Sequence, residues 1–174
     1  MDSNLHHPPH VLIDNSWYFI TAHTIGSEFP LTKVNSKRFW LDKLLEIAEQ
    51  FTFEISAYVL LDNHYHLLSY MPDSRMLSKF IHRLHGATSY YINQVENRPG
   101  RKIWHNYWDR IIRDEADFYT KFNYIHYNPI KHGYVKDLKK WEYSSYNNYL
   151  SSKGEEWLQD CWCTYPIREL NFEK

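Results

Sequence analysis

Cysteine is scarce in this chain: Cys161 and Cys163, close together near the C-terminus, are the two it has. A C-W-C pair in one late segment makes no disulfide framework. It also lacks the second pair that a structural zinc site needs, so reduced thiols in a cytoplasmic protein are the expectation. No apolar run approaches ~20 residues, so no membrane-spanning helix and no membrane partner are expected. The first residues lack a basic start followed by an apolar stretch, and no signal peptide is expected. Strong positive charge is missing as well. The net charge is -1 with histidine neutral, which argues against the usual electrostatic footprint of a nucleic-acid binder. No linker, internal repeat or low-complexity tract divides the 174 residues, a length that fits one domain. We expect a flexible N-terminal segment over 1–15, one domain over 16–150 and a C-terminal tail over 151–174.

Aromatic residues, in contrast, are abundant at 18%, with 15 Tyr and 7 Trp. Such rings fill cores and also stack on bases. Charge is unevenly spread. From Arg75 to Arg113 eight basic residues face two acidic ones, Glu96 and Asp109, while the stretch from Trp141 onward is acidic. A basic surface can thus coexist with a neutral total.

Strand patterns occur at Trp17–Thr24, Phe53–Leu61, His64–Tyr70 and Ile103–Ile112, with an Asp62-Asn63 turn between the second and third. Helical spacing occurs over Ser36–Phe51, with Ser36 as N-cap, and from Pro72-Asp73-Ser74 to about Val95, with Met76, Phe80, Leu84, Ala87 and Tyr91 as its buried stripe. A last helix is capped by Asp114, carries Phe118, Phe122 and Ile125, and ends near Gly133. The order β-α-β-β-α-β-α predicts an α+β fold. Its core is a ferredoxin-like split βαβ, an antiparallel four-stranded sheet with helices on one face, plus an added helix after the last strand.

Two clusters could carry chemistry. His64 and His66, two apart on a strand, point to the same face and can converge on a metal ion, while Tyr65 points to the other. The pattern alone fits two surface histidines equally well. Tyr124 and Asn128 stand at i and i+4 on one helix face. The Asn128 amide oxygen suits a hard divalent ion, but a helix end before Pro129 explains that residue too. Tyr119 lies about 140° of helix turn from Tyr124, and Tyr127 about 100° from Asn128, so neither shares the Tyr124–Asn128 face. His126 and His132 read as surface or helix-dipole residues. For Trp104 and Trp108, core packing is favoured over base stacking.

The two clusters occur together, in order, within a longer pattern. WYFITAHT, AYVLLDNHYHLL, IWHNYWDRIIRDEADF, YIHYNPIKHGYV and WEYSSY run from Trp17 to about Tyr149. This pattern resembles the single-tyrosine HUH transposases, and among them the REP-associated tyrosine transposases; LLDNHYHLL and YIHYNPIKHG are its specific segments. The resemblance implies that His64, His66 and Asn128 hold a divalent metal, Mg²⁺ or Mn²⁺, and that Tyr124 is the nucleophile. It implies cleavage and rejoining of hairpin-forming single-stranded DNA through a 5′-phosphotyrosine link, by a monomer or a homodimer. Arg75, Lys79 and Arg83, four apart on a helix, are candidate DNA contacts, as are Arg110 and Arg113 beside the site. Two positions depart from the family pattern: Tyr65 replaces a bulky apolar residue and brings a hydroxyl that needs a partner, and Asp62 stands where a proline is common. Two other functions fit the same residues. A DNA-hairpin-binding protein without turnover would bind regardless of Tyr124. A metal hydrolase of small phosphoesters would need the histidines but not Tyr124.

Overall fold

The computed structural model describes residues 12–26 and 29–167. Its strands are β1 (Ser16–Thr24), β2 (Glu54–Leu60), β3 (His64–Met71) and β4 (Trp104–Ile111). Its helices are α1 (Val34–Gln50), α2 (Leu77–Val95), α3 (Glu115–Lys131), α4 (Tyr146–Lys153) and α5 (Glu155–Thr164). The strands form one sheet in the order β2-β3-β1-β4, and each neighbouring pair is antiparallel. This is the α+β split βαβ arrangement that the element order predicts.

Both sheet faces are covered, because the strands are apolar on both. Tyr18, Ile20 and Ala22 of β1 and Tyr65 and Leu67 of β3 pack with Trp40 and Leu44 of α1 and Phe80 and Leu84 of α2. The alternate residues Phe19, Ala57, Val59 and Leu68 pack with Phe122 and Ile125 of α3 and Leu158 and Cys161 of α5. The two helices of the core thus share one face, and the added helix α3 lies on the other. His64 and His66, in phase with Leu68, face α3.

Several local features differ from the sequence pattern. Helix α1 starts at Val34 after Lys33, so Ser36 is buried inside the first turn instead of capping it. The buried stripe of α2 centres on Leu77, Phe80, Ile81 and Leu84, with Thr88 and Ile92 following. The stretch from 151 carries α5, whose Leu158 and Cys161 enter the second core; residues 168–174 lie outside the described residues. Residues 1–11 of the expected flexible segment also lie outside them. Within 12–15, Asp14 accepts hydrogen bonds from the Ser74 amide at 2.9 Å and hydroxyl at 2.8 Å. Asp62 bonds Lys37 Nζ at 2.5 Å, which ties the β2–β3 turn to α1. The Tyr65 hydroxyl finds its partner in His85 Nε2, 2.8 Å away.

Candidate active site

The site forms where β3 and β1 face α3. His64 pairs across the sheet with His23, and His66 with Thr21. Asn63 Oδ1 lies 2.8 Å from His64 Nδ1, and an amide oxygen can only accept, so that nitrogen carries the proton. Thr21 Oγ1 lies 2.7 Å from His66 Nδ1, and the hydroxyl can accept in the same way. With Nδ1 protonated on both rings, both Nε2 atoms are the lone-pair nitrogens, and both are buried. Burial, reinforced by the neighbouring His64, His23, His132 and Lys131, pushes the His66 pKa well below its ordinary value. The imidazole therefore stays neutral, the form that ligates a metal.

Helix α3 brings its own stripe to these rings. Its first turn is fixed by Asp114, whose side chain accepts from the Asp117 amide at 2.8 Å. The Tyr124 ring meets His66 edge-on at 5.3 Å, and eight residues later the His132 ring meets His64 at 4.9 Å. Asn128 lies midway along that stripe and is fully buried. Its Nδ2 donates to the Tyr124 carbonyl at 2.8 Å, which turns Oδ1 the other way. Among the described residues, His66 Nε2 and Asn128 Oδ1 are buried without a hydrogen-bond partner. Orphaned acceptors of this kind are costly unless something positive fills the space. Two imidazole nitrogens and a carboxamide oxygen suit a divalent cation of the Mg²⁺ or Mn²⁺ type. No three His, Cys, Asp or Glu side chains among the described residues are grouped to hold an ion; the candidate set has two histidines and an asparagine. Pro129 lies inside α3, which continues to Lys131, so Asn128 does not end the helix.

The family model for IS200-like transposases matches residues 19–128. The chain belongs to the IS200-like transposase family. A Haemophilus influenzae protein assigned to the REP-associated tyrosine transposases is 29% identical over 124 residues, covering 64% of this chain and 70% of that one. The REP-associated tyrosine transposase of Escherichia coli K12 is 27% identical over 135 residues, covering 76% of each chain. A solved REP-associated tyrosine transposase bound to a REP hairpin has the same fold, with a TM-score of 0.72 at 21% identity over 86% of this chain and 87% of that one.

Within this member of the IS200-like family, the rival tyrosines face elsewhere. Tyr119 stacks on Tyr165 at 4.9 Å, and Tyr127 meets Trp162 at 5.3 Å, so both look toward α5 and the segment after it. His126 is buried instead of exposed, with Nε2 2.7 Å from Ser145 Oγ. Trp104 is a core residue whose indole donates to Thr88 at 2.9 Å, while Trp108 remains 39% exposed.

The basic candidates divide between the two sides of the sheet. Lys79 and Arg83 are exposed on α2, on the face opposite the histidines, and Arg75 is held by Asp73 at 2.9 Å. Arg110 pairs with Phe19 across the sheet and bonds Asp117 of α3 at 3.0 Å. Arg113 lies 3.7 Å from the same carboxylate. Those two flank the site; the α2 stripe does not.

His23, Thr21, Lys131 and His132 join the site without having been singled out for it by sequence. His23 and Thr21 come in through strand register, which no short motif encodes. Lys131 and His132 were visible as positions i+7 and i+8 from Tyr124, two turns along the same stripe.

Proposed function

We propose that this protein is a metal-dependent transposase that cleaves and rejoins single-stranded DNA, with Tyr124 as the nucleophile and His64, His66 and Asn128 as the metal ligands. The observation that carries this is the meeting of Tyr124 and His66 across the β3–α3 interface, with His66 Nε2 and Asn128 Oδ1 left as buried acceptors. A bound divalent ion would polarise the scissile phosphate and offset charge in the transition state. The chain's own residues do the rest. Thr21 and Asn63 fix the imidazoles, and Asn128, bonded to the Tyr124 carbonyl, ties a ligand to the nucleophile's own turn of helix.

A tyrosine hydroxyl with an ordinary pKa of ~10 is a weak nucleophile at neutral pH. Charge stabilisation at the phosphate is therefore what makes it competent. Its attack forms a 5′-phosphotyrosine bond and releases a 3′-hydroxyl, which can attack that bond in turn, so cleavage and joining need no outside energy source. The substrate we infer is a hairpin-forming strand, as in the REP-hairpin complex of the similarly folded protein, with Arg110 and Arg113 as the phosphate contacts nearest the site.

Labelled single-stranded hairpin DNA incubated with the protein and Mn²⁺ should give a denaturant-resistant protein–DNA adduct. The Tyr124→Phe variant should give none while still binding the hairpin. Binding without any adduct from the unaltered protein would point instead to a DNA-hairpin-binding protein without turnover. Phosphoester hydrolysis that survives Tyr124→Phe but not loss of His64 would point to a hydrolase.

A further inference from the structure

We propose that Lys131 is a positioning residue that holds the Tyr124 hydroxyl in line for attack. The idea rests on Tyr124 being the nucleophile and adds a group to that site. Lys131 Nζ donates to the Tyr124 hydroxyl oxygen at 3.4 Å. The same ammonium lies 5.1 Å from the centroid of the Tyr124 ring. One side chain thus restrains both the ring and the oxygen at its end.

A basic residue in the last turn of a helix has an ordinary role, which is to compensate the helix dipole and the final carbonyls. Lys131 stands in the last turn of α3, but its ammonium does not remain there. It reaches back toward a residue seven positions earlier, ~10 Å along the axis, as helical side chains that lean toward the N-terminus can do. The destination is specific as well. Tyr124 is only 4% exposed, and the exposed Lys131 meets it at its polar end, where a DNA strand would arrive.

An ammonium has three donors and no acceptor. It can orient the phenolic oxygen while keeping its own protons. In the step it serves, the phenolic oxygen forms a bond to phosphorus and its proton passes to water. The bond from phosphorus to the 3′ oxygen breaks, and that oxygen keeps the electron pair and takes a proton from water. Lys131 offsets negative charge on the phenolic oxygen during attack and again when that oxygen leaves on rejoining.

The test uses the full chain with labelled hairpin DNA and Mn²⁺ under single-turnover conditions, protein in saturating excess, comparing K131M, K131Q and K131R with the unaltered protein. Hairpin affinity and thermal midpoint are measured on every variant, and two neutral variants are made so that loss of fold in one leaves the other to be read. Adduct formation by K131M or K131Q should slow by roughly tenfold to a hundredfold, the range for losing a hydrogen bond to a charged group. Hairpin affinity and thermal midpoint should hold, and K131R should recover most of the rate. Adducts at the unaltered rate in the neutral variants would overturn the proposal, as would a loss confined to affinity or a failure of arginine to rescue. If the unaltered protein forms no adduct, the assignment of Tyr124 itself fails, a result distinct from any of these.

Discussion

The Thr21 hydroxyl lies 2.7 Å from His66 Nδ1, and the consequence is out of proportion to the size of the group. When that hydroxyl accepts from Nδ1–H, the imidazole keeps its lone pair at Nε2, the buried nitrogen without a hydrogen-bond partner among the described residues. Thr21→Val keeps the shape and removes the partner. The buried Nδ1–H would then be unsatisfied, and the other tautomer, with its proton on Nε2, becomes competitive. Loss of an outer partner of this kind typically weakens metal binding ~10–100-fold. The Mn²⁺ concentration giving half-maximal adduct should rise by that factor, with hairpin affinity unchanged. An unaltered Mn²⁺ requirement would show that Thr21 does not orient a ligand.

Helix α3 has to serve two partners, and this separates what sequence could show from what it could not. Its sheet-facing stripe was legible, because Tyr124 and Asn128 at i, i+4 and a Gly133 stop are local signals; Gly133 has the positive φ of 73° that such a stop needs. The H-x-H pair was legible for the same reason, since strand alternation alone puts both rings on one face. What stayed hidden depends on contacts between distant segments. His126 becomes buried because Ser145 and Tyr149 close over it, and the helix at 155–164 gains its core role only by docking on α3. Ser36 matched a cap by type, yet the helix begins two residues earlier.

The docking rests in part on Asn123, whose amide donates to the Cys161 carbonyl at 3.1 Å and to the Tyr165 carbonyl at 2.8 Å. The Cys161 carbonyl also accepts from the Tyr165 amide at 3.0 Å, so it is not orphaned when Asn123 is lost. We therefore expect Asn123→Ala to cost roughly 1–3 kcal/mol, read as a lower midpoint in urea unfolding. Limited proteolysis should then cut first within 154–165. A variant as stable as the parent, with that segment still protected, would refute this role.

Over the whole molecule, the core that seals the site also stores imidazoles in neutral form. Burial pushes the His126 pKa down to about 3. His85, stacked on Trp104 at 4.7 Å, is pushed down to about 3 by burial and then by His82. In the unfolded chain both return to about 6.5. Above that pH neither state protonates them, and their contribution to stability is fully present. As pH falls below it, the unfolded chain takes up protons that the folded one refuses, so stability drops by about 1.4 kcal/mol per pH unit for each histidine. That loss continues until the folded value of about 3 is reached. Carboxylates whose folded pKa is lowered, such as Asp14 and Glu96, add to the slope only near their unfolded values of ~4 and below. Urea unfolding between about pH 5 and 6.5, in chelator so that metal binding does not enter, therefore isolates the imidazoles. His126→Asn should be less stable than the parent at neutral pH and yet lose stability more slowly on acidification, by one proton's worth of slope. Parallel lines for the two proteins would mean that His126 titrates in the folded state, and that the second core is open to water at the point where α3 meets Ser145.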